Sequence, residues 1–516
     1  MKLINSKKYI LILIVLNLAM VSCKKGILDV KDPNRIPELD FYTSEADALF
    51  GLYGIYDAYQ NANLFGQQMS NIDQISDNLS NNSSSDGFRA FQLSAQDPFT
   101  NPRVDGFYLN GYNVINRANY VIKRVTDMTD TQISVSARKR VLAEASFLRS
   151  YAYFLLVNLY RDIPYYTDPV TINSVPLGPT KGTVIYQNIL TELTAAIPDL
   201  PIEIAGNEKG RSGRAAAITL LGMIHLYKKD FPNALETLKP LLSAPYSFDL
   251  YPSYVNLFTP AGEFSKESIF EINFDGSPND QAATFSDQID TTLTPFKPRN
   301  NLTPAARLVD SYLCTDGKPI ANSTLYGAKS PLYNATGINK FLNRDPRLRG
   351  TILTAADLLK SGAKLWLFNN ATNYGIRKYI EVTTAKYARN PQNFYVFRYA
   401  DVLLMVAEAQ NEVTGPNTLV YDCVSKIRKR VSMPDYPAGL TQDQMRLMIR
   451  DERRWEFAVE WQRYFDLKRW GIIQDAIAAS GVAEKVFTNP RDYVWPIPQT
   501  ELDRNPNMVQ AAEWLK

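Results

Sequence analysis

EASFLRSYAYFLLVNLYRDIPYY, residues 144–166, decides the class of fold. Taken with the residues from Arg138 onward, its apolar positions Val141, Ala145, Leu148, Ala152, Leu155 and Leu159 recur at steps of four, three, four, three and four. Steps of that size lay a single stripe along an α-helix, so the spacing predicts a helix over 138–160 with one buried face. The pattern returns over 213–229 through Ala217, Leu220, Ile224 and Tyr227. Lys229-Asp230-Phe231-Pro232 then opens a further helix with Leu235, Leu238 and Leu242, Asp230 serving as its cap and Pro232 lying in its first turn. That reads as a tight antiparallel helix pair.

Similar patterns occupy 45–61, 106–125, 183–197, 399–412, 419–430 and 442–461. Pairs of this length point to tetratricopeptide-like stacking, although no strict repeat period is visible. The expected fold is therefore mainly α, a superhelical scaffold of tetratricopeptide-like helix pairs with long irregular loops and a few short strands. One strand is expected over 269–274, where Phe270, Ile272 and Phe274 alternate with Glu271 and Asn273. Two segments have another character: 63–102, rich in Asn, Ser and Asp, and 275–304, with scattered Pro, Asn and Thr. Loops of such length in a compact protein carry function more often than not.

At the N-terminus Lys2, Lys7 and Lys8 precede an apolar run from Tyr9 to Val21, broken only by Asn17 and followed by Ser22 and Cys23. The run is short for a membrane span and ends on a small residue and a cysteine, the pattern of a lipoprotein signal peptide cleaved before a lipidated Cys. Residues 1–22 are read as that signal, 23–40 as lipid anchor and tether with Cys23 the lipidated residue, and 41–516 as one domain. Within it, 41–260 and 396–516 are helical and 261–395 is rich in loops.

A net charge of +3 over 516 residues, with no basic block, gives nucleic acid no footprint. Cys314 and Cys423 have neither the spacing nor the number for a zinc site or a disulfide framework and are expected to be buried free thiols. His225 is the single histidine, so a catalytic triad or a histidine metal site lacks its parts, and no GxSxG elbow, GxxxxGK phosphate loop or EF-hand loop is present. No catalytic residue, metal ligand or cofactor is expected. Glu452, Glu456 and Glu460, four residues apart, would share one helix face among Arg446, Arg450, Arg453, Arg454 and Arg463. Their expected role is an ion-pair network with Arg453, Arg463 or Arg428, not the raised acid of a glycosidase pair.

Several strings, in order along the chain, resemble signatures of the SusD/RagB family. The segment 144–166 is similar to the family's long N-terminal helix and turn, and RYADVLLMVAEAQNE (398–412) to its C-terminal helix. RDERRWEFAVEWQRYFDLKRWG (450–471) resembles its charged helix and Arg-Trp-Gly end, and VWPIPQTELDRNPNMVQ (494–510) its closing segment. LDVKDPN (28–34), GRSGRAAAITLLGMIHLY (210–227), DGKPI (316–320) and NRDPRL (343–348) add weaker matches. The chain departs from the pattern at Arg161 and Trp461, where Gly is common, and at Val431-Ser432, which stands for an Ala-Gly pair.

The resemblance implies four tetratricopeptide-like helix pairs supporting an irregular ligand-binding region, outward placement on the outer membrane, and a SusC-type TonB-dependent barrel as partner. It places ligand contacts near Asp77, Asn78, Phe88, Arg89, Phe91, Phe99 and Tyr108, with Phe285 and Phe296 in the second long loop. Flat rings for the apolar face of a sugar, beside Asp, Asn and Arg for its hydroxyls, suit a glycan or oligosaccharide. Trp455, Trp461, Trp470 and Trp495 all lie outside both loops. A peptide or other non-sugar nutrient is the alternative ligand on the same scaffold. A loop-borne hydrolase and a pure protein adaptor are the competing classes.

Overall fold

The computed structural model describes residues 41–66, 68–81, 101–204, 206–275, 302–326, 341–353, 372, 374–379, 392–482 and 485–515. Ser44 starts α1 (Glu45–Tyr59) with a reciprocal cap, its hydroxyl accepting from Asp47 N while the Asp47 carboxylate accepts from Ser44 N. Asn101 caps α2 (Pro102–Asp127), with Pro in the first turn, where its missing N–H costs nothing. Ser134 caps α3 (Val135–Tyr160), the helix read from 138–160. The remaining long helices are α4 (Gly182–Ala196), α5 (Arg214–Tyr227), α6 (Phe231–Leu238), α7 (Tyr399–Thr414), α8 (Thr418–Arg430), α9 (Gln442–Phe457) and α10 (Gln462–Trp470).

Each helix from α1 to α6 packs on the next, α6 packs on α7, and α7 carries α8 and α9. The stack thus closes over the long gap in sequence between α6 and α7. It does so because α7 is buried on every side from Tyr399 to Asn411, including its charged Asp401 and Glu408. Close approach of α2 to α3 needs Gly111, where a Cβ would fall 2.8 Å from Leu156. Among the described residues six short strands form three antiparallel ribbons. They are β1 (Leu79–Asn81) with β3 (Leu302–Pro304), β2 (Ser268–Ile272) with β6 (Phe394–Arg398), and β4 (Ile352–Leu353) with β5 (Gly375–Ile376).

Three expectations are corrected. The helix expected over 442–461 stops at Phe457, and the chain turns through Val459 (φ 70°) and Trp461 (φ 82°) before α10 begins. The buried Asp73 carboxylate fixes this turn by accepting from Val459 N at 2.9 Å, so Glu460 does not share a helix face with Glu452 and Glu456. The Asp230 side chain makes no cap bond to α6 and instead approaches His225 Nδ1 at 3.1 Å and accepts from Asn233 Nδ2 at 2.8 Å. The strand expected over 269–274 runs instead over Ser268–Ile272, with Glu271 buried between Phe270 and Ile272. Cys314 and Cys423 are buried and free.

The departures at Arg161, Trp461 and Ser432 share one physical cause. All three have left-handed backbone, with φ of 67°, 82° and 56°, the conformation that glycine adopts without a Cβ penalty.

Candidate functional site

The two long polar segments lie far apart in sequence, yet their stems are hydrogen-bonded neighbours, with Ser80 and Thr303 223 residues apart. β1 ends at Asn81, where the chain enters 82–100, and β3 begins at Leu302, where it leaves 276–301; Leu79 pairs with Pro304, Ser80 with Thr303 and Asn81 with Leu302. Ala305 N then donates to Asn78 O at 2.8 Å, extending the ribbon by one rung. Thr372 Oγ1 donates to Pro304 O at 3.1 Å, tying in the chain beside β5.

Below this ribbon lies a buried polar cluster that holds it to α9 and α10. Asp77 accepts from Arg463 Nε at 2.8 Å and pairs with Arg454 at 3.1 Å, while Arg454 Nε donates to Asn78 Oδ1 at 3.0 Å. Burial alone would raise the Asp77 pKa, but Arg463, Arg454 and Lys485 hold it well below the usual carboxylate range. Lys485 Nζ donates to three backbone carbonyls, those of Gln74 at 2.7 Å, Ser76 and Leu79. Burial of that ammonium brings its pKa down to about 7.

Of the residues expected to meet ligand, Asp77 and Asn78 are therefore inside, 3% and 0% exposed, with their polar atoms committed to Arg463 and Arg454. They anchor the stem that leads into β1. Tyr108 lies on α2 among other neighbours, against Tyr160 at 5.1 Å and Tyr112 at 4.8 Å between ring centroids. Phe88, Arg89, Phe91, Phe99, Phe285 and Phe296, like Cys23, lie outside the described residues.

The glutamates of the α9 segment form an internal charge lattice. Glu456 meets Arg398 at 2.6 Å, Arg430 at 2.5 Å and Arg347 at 3.2 Å; Glu452 meets Arg347 at 2.6 Å and Arg428 at 2.9 Å. Glu460 meets Lys378 at 2.7 Å and Arg398 at 2.8 Å. Of the three arginines expected to serve these glutamates, only Arg428 does so. Arg453 turns to Asp401 and Asp466, each at 2.8 Å, and Arg463 to Asp77. Desolvation pushes the Glu456 pKa up, yet its three guanidiniums outweigh it and leave the carboxyl far below its ordinary value. A carboxylate held this way stays ionised and has no proton to give. Among the described residues no group of three or more His, Cys, Asp or Glu could hold a metal ion.

Sequence reasoning missed a pocket of about 520 Å³ between α2, the strap 164–170 and Glu501. Its walls carry Tyr108, Tyr112 and Tyr166 together with Asn110, Asn113 and Asn116. The signal was present as an Asn and Tyr spacing along α2, but a spacing on one helix does not reveal which distant strap will cover it.

Two family models match successive parts of the chain: one described as "Starch-binding associating with outer membrane" over residues 27–226, and one described as "SusD family" over 266–514. Two SusD-like proteins of Formosa agariphila are 28% and 25% identical to it, covering 97% and 98% of this chain and 98% and 99% of their own. Among solved structures, a SusD-like carbohydrate binding protein from Bacteroides fragilis superposes with a TM-score of 0.78 at 25% identity, over 90% of this chain and 99% of that one. A laminarin binding SusD-like protein superposes with a TM-score of 0.72 at 26% identity, over 91% and 100%. The family models, the full-length relatives and the helical scaffold agree, and the chain belongs to the SusD family.

Proposed function

We propose that this protein is an outer-membrane lipoprotein, anchored through Cys23 with 24–40 as tether, that captures glycan or oligosaccharide outside the cell and passes it to a SusC-type TonB-dependent barrel. The observation that carries the reading is the β1–β3 ribbon, which brings the entry to 82–100 and the exit from 276–301 together over a buried ionic base. Phe88, Phe91 and Phe99 belong to one of these segments and Phe285 and Phe296 to the other, so ligand contacts from both can serve one site. Rings for stacking and polar groups for hydroxyls are what sugar capture asks for. Two solved relatives, one a carbohydrate binding protein and one a laminarin binding protein, point the same way.

Native affinity electrophoresis of residues 24–516 through gels carrying plant, fungal and host polysaccharides tests it, with Phe91→Ala and Phe296→Ala run alongside. Retention by at least one polysaccharide, weakened in either variant, is the expected result. No retention by any of them would sink the glycan reading.

A further inference from the structure

The strap 164–170 is fastened to α2 by side chains of one helix face. Tyr112 OH donates to Pro164 O at 2.7 Å, and Asn116 exchanges two bonds with Val170, Nδ2 to O at 3.2 Å and N to Oδ1 at 2.7 Å. Asn119 Nδ2 donates to Tyr166 O and Asp168 O at 3.2 and 3.0 Å, and its own oxygen accepts from Arg149, which Glu192 holds at 2.6 Å. Tyr153 OH donates to Tyr166 O at 2.8 Å from α3. The strap is thus rigid, and the cavity it covers is preformed.

On the adjoining face of α2 the polar groups are left over. Asn113 is exposed and its side chain makes no hydrogen bond among the described residues, and the Asn110 side chain uses only its Nδ2, on Gly106 O at 2.8 Å. The Tyr108 hydroxyl is buried and meets no partner at hydrogen-bonding geometry. Across the pocket, Glu501 accepts from Asn505 with Oε1 alone. A volume of about 520 Å³ lies within the range of small-molecule sites, roughly 300–1,000 Å³. Aromatic faces, free carboxamides and one carboxylate together match the alternating C–H faces and hydroxyls of a sugar ring. Apart from the tyrosine hydroxyls, Glu501 is the one ionisable group in the described lining, so it favours neutral ligands and repels acidic ones.

We propose that this pocket is a second saccharide subsite, separate from the two polar loops, that takes the end of a neutral oligosaccharide through Asn110, Asn113, Glu501 and the Tyr112 and Tyr166 rings. The proposal rests on the glycan reading above and adds to it a location and a charge preference.

Hydrogen–deuterium exchange of residues 24–516 tests it, with maltohexaose, cellohexaose, laminarihexaose and mannohexaose as neutral probes and a hexaguluronate as the acidic one. At least one neutral probe should protect 105–120 and 164–171. Asn113→Ala and Glu501→Gln, both at solvent-accessible positions, should weaken that protection on the order of tenfold in probe concentration. Phe91→Ala and Phe296→Ala should leave it in place. Gel retention that survives while 105–120 shows no protection, or protection unmoved by both pocket variants, would overturn the subsite and leave the glycan reading standing. Equal protection by hexaguluronate would overturn the neutral preference. Absence of both gel retention and protection would overturn the two readings together.

Discussion

Asp77 and Arg463 meet across 386 residues of chain in a two-point ion pair, with Nε and a terminal nitrogen 2.8 and 3.0 Å from the two carboxylate oxygens. Both side chains are buried, so the pair cannot borrow water when one member is lost. Asp77→Ala would take from Arg463 and Arg454 the carboxylate that both pair with, and removal of one partner of a buried pair costs about 3–5 kcal/mol. The expected result is a fall of that size in unfolding free energy by denaturant titration, with weaker polysaccharide retention because the stem of both loops loses its base. Because the folded carboxyl lies below its ordinary pKa, its contribution is fully present above pH ~4 and is lost as pH falls further. An unchanged denaturation midpoint in the variant would contradict this account.

Lys485 Nζ donates to the carbonyls of Gln74, Ser76 and Leu79, on the stretch that leads into β1. Lys485→Met keeps much of the stem's length and removes all three bonds. A buried acceptor left without a donor costs about 1–3 kcal/mol, so a loss of at least ~3 kcal/mol is expected. Limited proteolysis should then cut faster within 72–100 than in the parent; an unaltered cleavage rate there would mean that the ribbon does not depend on this ammonium.

Asn393 joins two carboxylates: its backbone N–H donates to Glu263 Oε1 at 2.9 Å and its Nδ2 to Glu271 Oε2 at 2.8 Å. Burial first, and the neighbouring Glu271 charge as well, raise the Glu263 pKa from 4.5 to about 7, although Asn393 opposes the shift. A carboxyl raised on folding binds its proton more tightly in the native state. Its stabilising contribution is therefore present below pH 4.5, declines as pH rises to about 7, and is flat beyond. Glu263→Gln removes this titration, so the stability difference between parent and variant should drift against the parent between those limits. Parallel pH profiles for the two proteins would remove Glu263 as the source.

Helices were legible because their information is local. The stripe of Val141, Leu148 and Leu155 predicts α3 wherever the rest of the chain goes, although the apolar spacing alone starts α3 at 138 and α2 at 106, inside the true starts at Val135 and Pro102. The end of α9 was not legible, since the feature that fixes it is Asp73, far away in sequence, bonding to Val459 N. The same holds for Asp77: the family resemblance placed it near ligand, and the arrival of Arg454 and Arg463 from distant helices, which makes it an internal anchor, is not written in its own stretch of sequence. The strap over Asn113 and Tyr112 is a third case, a long-range closure that periodicity does not encode.

Trp461 and Ser432 turn that distinction into a measurable contrast. Both have left-handed backbone, where a residue with a Cβ is strained by roughly 1–2 kcal/mol, so glycine would relieve either position. Ser432 is exposed, and Ser432→Gly gives back part of the gain through the greater freedom of glycine in the unfolded chain, about 0.5–1 kcal/mol. A net change between zero and ~1 kcal/mol toward stability is expected. Trp461 is 0% exposed and packs edge-on against Phe465 at 5.5 Å, so Trp461→Gly also empties a large core volume. Truncating a buried Trp costs about 3–5 kcal/mol, which outweighs the relieved strain and leaves a net loss of about 1–4 kcal/mol. Denaturant titration of the two variants should therefore move in opposite directions, or leave Ser432→Gly unmoved while Trp461→Gly falls. If Trp461→Gly were the more stable protein, the strain at the α9–α10 turn would exceed what the buried indole returns, and the packing account of that turn would fail.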